Sequence, residues 1–328
     1  MLTDKFGRVH KSLRVSVTDV CNIRCQYCMP AEDVRFLPRS RLLSYEQIAR
    51  FVEVVSQWGI RRVRITGGEP LTRPGLEELV RRLRRIDAID DIALTTNGML
   101  LGDQIDALES AGLDRVNVSL DTLSEATFKR LSRRDGIAQV IDGIDRAVDS
   151  SLQVKLNALV LRDVNSNDVI DLVRFAAERD IPMRFIEFMP LDADGAWNDT
   201  RMVSGAELRT QIEAEFGPLT PVERATKSQP AQEYRLPTGT HVGFIDSVST
   251  PFCGSCDRLR LTAEGKIRNC LFGTEEWDVS DLLNDKAGVD NSRVKAVVQA
   301  CLAAKHAAHG IADPDFKPPQ RAMYQIGG

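Results

Sequence analysis

The chain has 328 residues, of which 43% are hydrophobic and 27% charged, and its net charge is −4. These are globular values; they supply no basic field for nucleic acid, and no apolar run reaches the roughly 20 residues that a membrane helix needs. No apolar stretch precedes the first strand, so no signal peptide is predicted, and the expectation is a cytoplasmic protein with no membrane or nucleic-acid partner.

In chain order, the first predicted strand is LRVSV (13–17), followed by the loop CNIRCQYCMP. SYEQIARFVEVVSQWG (44–59) reads as a helix with Ser44 as N-cap and Gly59 at its end. Strand RVRIT (62–66) leads through TGGEP into a helix from about Pro74, then come strand DIALT (91–95) and a helix near 101–111. Strand RVNVSL (115–120), helices 124–132 and 137–150, strand QVKLNAL (153–159), helix 166–179, strand MRFIEF (183–188) and a helix near 204–216 complete six β–α units. Such alternation predicts a parallel sheet with right-handed crossovers.

Alternate strand residues separate two faces. One carries Leu13, Val15 and Val17; Val63 and Ile65; Ile92 and Leu94; Val116 and Val118; Val154 and Leu156; Ile186 and Phe188, and should pack on helices. The other carries Arg14, Ser16 and Thr18; Arg64, Thr66 and Gly68; Thr95 and Asn97; Asn117, Ser119 and Asp121; Lys155 and Asn157; Glu187 and Met189. A doubly wound sheet, covered on both faces, reads apolar throughout, and a closed barrel fills with branched apolar side chains. Three interior cations left unpaired would cost several kcal/mol or more. The expected architecture is therefore an open barrel with a wet interior that holds an anion.

From about residue 217 the pattern changes. A Pro-containing connection (217–230) precedes EYRLP and HVGFI, a hairpin around TGT; helices near 280–284 and 292–308 and an irregular tail follow. The expected division is a core over 1–216 and a C-terminal region over 217–328. The arginine run 81–85 reads as a solvated helix face, and His306 and His309 as surface residues.

Six of the seven cysteines form two groups: Cys21, Cys25 and Cys28, and Cys253, Cys256 and Cys270. Cys301 reads as a small buried hydrophobe. Disulfides are not expected in the cytoplasm. Three cysteines can hold three irons of a [4Fe–4S] cluster and leave the fourth open. The alternatives are a zinc loop with a fourth ligand from elsewhere, or unrelated thiols. The sequence has neither GxxxxGK[ST] nor GxGxxG, so a P-loop or Rossmann nucleotide site is unsupported.

CNIRCQYCMP resembles the cluster loop of radical S-adenosylmethionine (SAM) enzymes, and TGGEP (66–70) their glycine-rich loop. The resemblance implies an incomplete (β/α)6 TIM-type barrel in which Cys21, Cys25 and Cys28 bind a [4Fe–4S] cluster. It also implies that SAM fills the open iron site and is contacted by Tyr27, Gly68, Ser119 and Met189. The segments VTDVCNIRCQYCMP, RITGGEPLTR, TTNG, VNVSLDTL, FIEFMP, CDRLRLTAEGKIRNCLF and the terminal IGG are similar to one branch of that superfamily, whose members cyclise GTP in the first step of molybdenum cofactor biosynthesis. This similarity runs from Leu13 to Gly328. It implies a second [4Fe–4S] cluster on Cys253, Cys256 and Cys270 in the C-terminal extension that carries the hairpin. It places GTP against Arg14, Arg64, Thr95, Lys155, Arg258, Leu259 and Arg260, and brings the Gly327-Gly328 tail toward the active site. A deoxyadenosyl radical would take hydrogen from C3′ of GTP, and C3′ would then attack C8. An electron donor, a homodimer and a downstream cyclic pyranopterin monophosphate synthase complete what the resemblance implies. Val20, Thr72 and Asn269 depart from residues common in that branch, and none is an implied ligand. The rival readings are a peptide-maturing radical enzyme and a zinc-binding scaffold.

Overall fold

The computed structural model describes residues 1–195, 197–283 and 290–327. Six strands alternate with helices: β1 (Ser12–Ser16), α1 (Tyr45–Ser56), β2 (Arg62–Thr66), α2 (Leu76–Arg84), β3 (Asp91–Thr96), α3 (Leu101–Ser110), β4 (Arg115–Ser119), α4 (Glu125–Ser132), α5 (Ile137–Val148), β5 (Gln153–Leu159), α6 (Val169–Glu178), β6 (Met183–Ile186) and α7 (Gly205–Phe216). Local chemistry marks the helix starts. Ser44 and Ser204 form reciprocal capping boxes with Gln47 and Glu207, which satisfies backbone groups that have no partner inside the helix.

β1 to β6 lie side by side in order, all parallel. The C-terminal region extends both edges of this sheet. β9 (His241–Ile245) pairs parallel with β6 and antiparallel with β8 (Gln232–Arg235), which is the expected hairpin, and β7 (Thr220–Val222) pairs outside it. At the other edge β10 (Arg258–Leu261) pairs parallel with β1, followed by antiparallel β11 (Lys266–Arg268) and β12 (Trp277–Asp278). The result is one mixed sheet of twelve strands among the described residues, with β12 and β7 at its ends. Those end strands do not pair, so no closed barrel forms among the described residues.

One core fills the space between sheet and helices. Leu13, Val15, Val63, Ile65, Ile92, Leu94, Val116, Val118, Val154 and Leu156 are buried against Ile48, Phe51, Leu79, Ile105, Ile144 and Leu172 from the helices. Each such side chain contributes about 1.5–3 kcal/mol on burial.

β6 departs from the expected phase. Met183 and Phe185 belong to the core, and Phe185 stacks on Phe244 with ring centroids 6.1 Å apart. Arg184 and Ile186 face the other side, so Ile186 does not pack on helices as expected. The strand ends at Ile186, and beyond it the pleat no longer sets direction. Phe188 joins Leu131 and Leu161 in a smaller cluster. Glu187, expected inside the barrel, is instead buried and accepts from Val248 N at 2.8 Å and Ser249 N at 2.9 Å.

α8 (Asn291–Ala303) stops five residues short of the expected end at 308, and irregular chain carries Lys305 to His309. The expected helix at 280–284 is a 3-10 turn over Asp281–Leu283, and residue 284 lies outside the described residues. The tail carries one helical turn, α9 (Met323–Ile326). Among the described residues no helix is long and apolar enough to cross a membrane.

Candidate functional site

Strand register builds the site. Arg14 on β1 is level with Arg64 on β2 and Arg260 on β10, so alternation turns three guanidiniums to one side of the sheet. They line a cavity of about 330 Å³ together with Arg184, Arg258, Thr95, Ser119, Asn157 and Met189. Arg64 donates to Thr95 Oγ1 at 3.2 Å, Arg184 pairs with Glu233, and Arg260 donates to Gly327 O at 2.7 Å. Arg14 has no acidic partner among the described residues. Burial, reinforced by the neighbouring guanidiniums, pulls Arg14 well below the usual arginine range and brings Arg64 and Arg260 down to about 9. Arg260 is buried and Arg14 and Arg64 are half-buried, and cations this poorly compensated make the cavity a candidate anion site.

The first cysteine loop follows β1, and Cys21, Cys25 and Cys28 all line the cavity. Gly67 and Gly68 hold the approach to it. Gly68 N donates to Thr18 O and Glu69 N to Val20 O, both at 2.8 Å. A Cβ on Gly68 would sit 2.6 Å from the carbonyls of Asp19 and Val20, so only glycine lets the two backbones close here. On the other side, Arg24 N and Gln26 N donate to Ser132 O and Leu131 O at the end of α4. Glu69 accepts from Leu71 N, Thr96 Oγ1 and Asn97 N, while burial pushes its carboxyl up to about 7. Tyr27 donates its hydroxyl to Asp121 Oδ2 at 2.5 Å, and burial raises Asp121 to about 6. Burial raises all three thiols, helped by Glu69 at Cys21, Asp121 at Cys25 and the neighbouring Cys21 at Cys28: Cys21 to about 11, Cys28 to about 12 and Cys25 well above the usual range.

Cys253, Cys256 and Cys270 line the same cavity, and all six thiols are free. Cations surround this group. Arg258 Nε lies 3.3 Å from Cys256 Sγ and Lys305 Nζ 3.9 Å from it. Burial raises the Cys256 thiol, but Arg258 and then Lys305 outweigh that effect and bring it to about 6. Arg8 donates to Cys253 O at 2.8 Å and is itself held by Asp4, so the N-terminus pins this loop. The tail closes the site. Met323 and Tyr324 line the cavity, and a Cβ on Gly327 (φ +76°) would meet Thr66 Cγ2 at 2.6 Å.

The cavity thus gathers the six cysteines, Tyr27, Gly68, Ser119, Met189, Arg14, Arg64, Thr95, Arg258 and Arg260. Lys155 does not line it. It is level with Asn117, and burial and the nearby Arg184 lower it to about 8. The Leu259 side chain is fully buried in the core beside Leu13, so only its main chain can serve a ligand. Gly328 lies outside the described residues. Sequence reasoning missed Arg184, although Met183 and Phe185 read alone would have turned it inward. It also read His309 as a surface residue. The structure places His309 half-buried in the cavity wall, bonded to Ser247 O at 2.9 Å and packed on Phe272, because α8 ends early and the chain folds back. No periodic signal marks a residue in such a turn.

Residues 15–176 match the model of the Radical SAM superfamily, and residues 181–311 that of Molybdenum Cofactor Synthesis C. Solved structures with the same fold include Streptococcus suis SuiB bound to S-adenosylmethionine (TM-score 0.59, 15% identity, 85% of this chain and 64% of that one). Native anSMEcpe with bound AdoMet also matches (TM-score 0.57, 14% identity, 86% and 81%). Fold and first cysteine loop together define a radical SAM protein. Over its full length the chain is 50% identical to a GTP 3′,8-cyclase of Rhodopirellula baltica, covering 92% of that protein. It is 43% identical to the one of Pelotomaculum thermopropionicum, covering 100% of it, and 42% to that of Streptomyces coelicolor, covering 96%. The chain belongs to the GTP 3′,8-cyclase family.

Proposed function

We propose that this chain cyclises GTP to (8S)-3′,8-cyclo-7,8-dihydroguanosine 5′-triphosphate by radical SAM chemistry, the first step of molybdenum cofactor biosynthesis. One observation carries the reading. A single cavity is lined by two groups of three free thiols and a row of under-compensated guanidiniums. The family membership supports it.

Cys21, Cys25 and Cys28 hold one [4Fe–4S] cluster, and Cys253, Cys256 and Cys270 a second. Three thiolates per cluster leave one iron for an outside ligand. Among the described residues no three His, Cys, Asp or Glu close on one point as ligands of a single ion would. A cluster, which takes one thiolate per iron, asks for sulfurs set wider apart, and this favours clusters over zinc. Held by Cys21, Cys25 and Cys28, the first cluster would supply one electron for cleavage of SAM to methionine and a 5′-deoxyadenosyl radical, the acceptor for the C3′ hydrogen of GTP; the radical left once C3′ has bonded to C8 would take one further electron from the external donor and a proton.

The chain's own side chains bind and orient. Tyr27, fixed by Asp121, lies with Gly68, Ser119 and Met189 on the SAM side of the cavity. Arg14, Arg64 and Arg260 take the triphosphate, in which paired N–H groups match phosphate oxygens. Arg184 and Thr95 flank them, Lys155 adds positive charge near Arg184 and Arg64 from outside the cavity lining, and Leu259 offers main chain only. Arg258, over the Phe252 ring at 4.8 Å and against Cys256, orients the purine end. Gly327 brings the tail against the cation row, and the Gly327-Gly328 pair is assigned catalytic support. Strands β1 to β6 all contribute to one cavity wall, which supports an incomplete (β/α)6 barrel over 1–216 with 217–328 as its closing region. An external electron donor, a homodimer and hand-off of product to cyclic pyranopterin monophosphate synthase belong to the same reading.

The test is anaerobic. With dithionite and SAM, adding GTP should raise 5′-deoxyadenosine at least tenfold, with matching cyclised product. Release of 5′-deoxyadenosine that ignores GTP sinks the reading.

A further inference from the structure

Lys305 is 3% exposed, lies just past the end of α8 and does not line the cavity. Its ammonium has three donors, and the structure gives each an acceptor: Cys256 Sγ at 3.9 Å, Arg258 O at 3.3 Å and Asn269 O at 2.5 Å. Asn269 directly precedes Cys270, and Arg258 follows Cys256 by two residues. One buried cation therefore ties both halves of the second cysteine group together from behind. No acidic side chain lies within ion-pair distance of it among the described residues. An ammonium is strongly hydrated and rarely buried without a counter-charge. Among the described residues the anionic groups that Lys305 meets are thiolates, Cys256 first and Cys270 next.

We propose that Lys305 is a positioning residue that also sets the reduction potential of the second cluster, holding it above the value that the thiolates alone would give. The inference rests on the second-cluster reading above. Reduction adds one electron to the cluster and makes it one charge more negative. A fixed cation about 4 Å from a ligand sulfur stabilises that reduced state, and hydrogen bonds to ligand sulfur act in the same direction. Among the described residues no cation touches a sulfur of the first cysteine group: the neutral amide of Asn97 donates to Cys21 Sγ at 3.8 Å, and Glu69 and Asp121 face the group, with Arg24 as a weaker opposing charge.

Wild type, K305M and K305R, each reconstituted anaerobically as the full chain, are analysed for iron and sulfide and titrated reductively by EPR. The first cluster's signal is recognised by its change on adding SAM. Expected are about eight irons in wild type. The K305M reduction equilibrium of the second cluster should fall at least tenfold, about 59 mV for a one-electron couple, and K305R should stay within threefold of wild type. An unmoved potential in a K305M protein that holds the cluster overturns the inference alone. Four irons in wild type overturn the second-cluster reading, and the inference with it. If K305M loses the cluster while K305R keeps it at the wild-type potential, the charge is required there. If both lose it, Lys305 only packs and the assignment of potential falls.

Discussion

Cys25 and Cys256 line the same cavity in opposite electrical settings. Around Cys25, burial, Asp121 and the neighbouring thiols all disfavour a thiolate; around Cys256, Arg258 and Lys305 overcome burial and favour one. Their backbones differ in the same way. The first loop is hydrogen-bonded through main-chain N–H groups of Gly68 and Glu69, with the Glu69 carboxyl buried behind it on Thr96 and Asn97, whereas the second meets cations from three segments: the neighbouring Arg258 and the distant Arg8 and Lys305. Two groups of three cysteines therefore do not make two equivalent sites. The first loop stabilises a thiolate only once iron supplies positive charge, while the second carries positive charge of its own.

The largest effect should appear in thiol chemistry of the apo chain. With Cys256 at about 6 and Cys28 at about 12, their thiolate fractions at pH 7 differ by about five orders of magnitude. Lower intrinsic nucleophilicity of the more acidic thiol removes about three of those orders. Mass-resolved alkylation should label Cys256 about 100-fold faster than Cys28, and equal rates would break the contrast. Next comes the tail, which touches both regions: Tyr324 packs in the cluster that includes Cys21 and Cys28, and Gly327 binds Arg260. In G327A the new Cβ clashes with Thr66, and φ of +76° adds strain. Turnover should drop about tenfold, with faster proteolysis of the C-terminus. Wild-type turnover with a protected tail would show that the two regions do not need this link.

The smallest effect concerns Glu69 and sharpens the description of the first loop as set against a buried acid. Burial lifts its folded-state value from 4.5 to about 7. Between those values the folded chain keeps a proton that the unfolded chain has released, so this group's contribution to stability falls as pH rises through that window and levels off above it. E69Q removes the dependence. The stability of wild type relative to E69Q, from urea unfolding of the apo chains, should decline by on the order of 1–3 kcal/mol across the window. A pH-independent difference would mean that the carboxyl is not held protonated.

The sequence by itself determined much of this molecule. Period-2 alternation in LRVSV, RVRIT and QVKLNAL separates core from cavity because successive side chains must point to opposite faces. Arg14 and Arg64 are therefore legible as interior cations from the strand pattern alone. The first cysteine triplet is legible because its spacing is local to one loop, and the second because Cys256 and Cys270 are separated by no more than the short hairpin of β10 and β11. The fold decided what crosses between segments. It threads β10 beside β1, so that Arg260 completes the row begun by Arg14 and Arg64; 245 residues separate Ser12 from its hydrogen-bond partner Asp257 at that junction. It folds His309 back after α8 and places Lys305 behind Cys256. No local pattern encodes these contacts, because each forms only when strands and turns remote in sequence are brought into register. Spacing thus specified which residues could bind, and long-range packing specified the charge that each cysteine group meets.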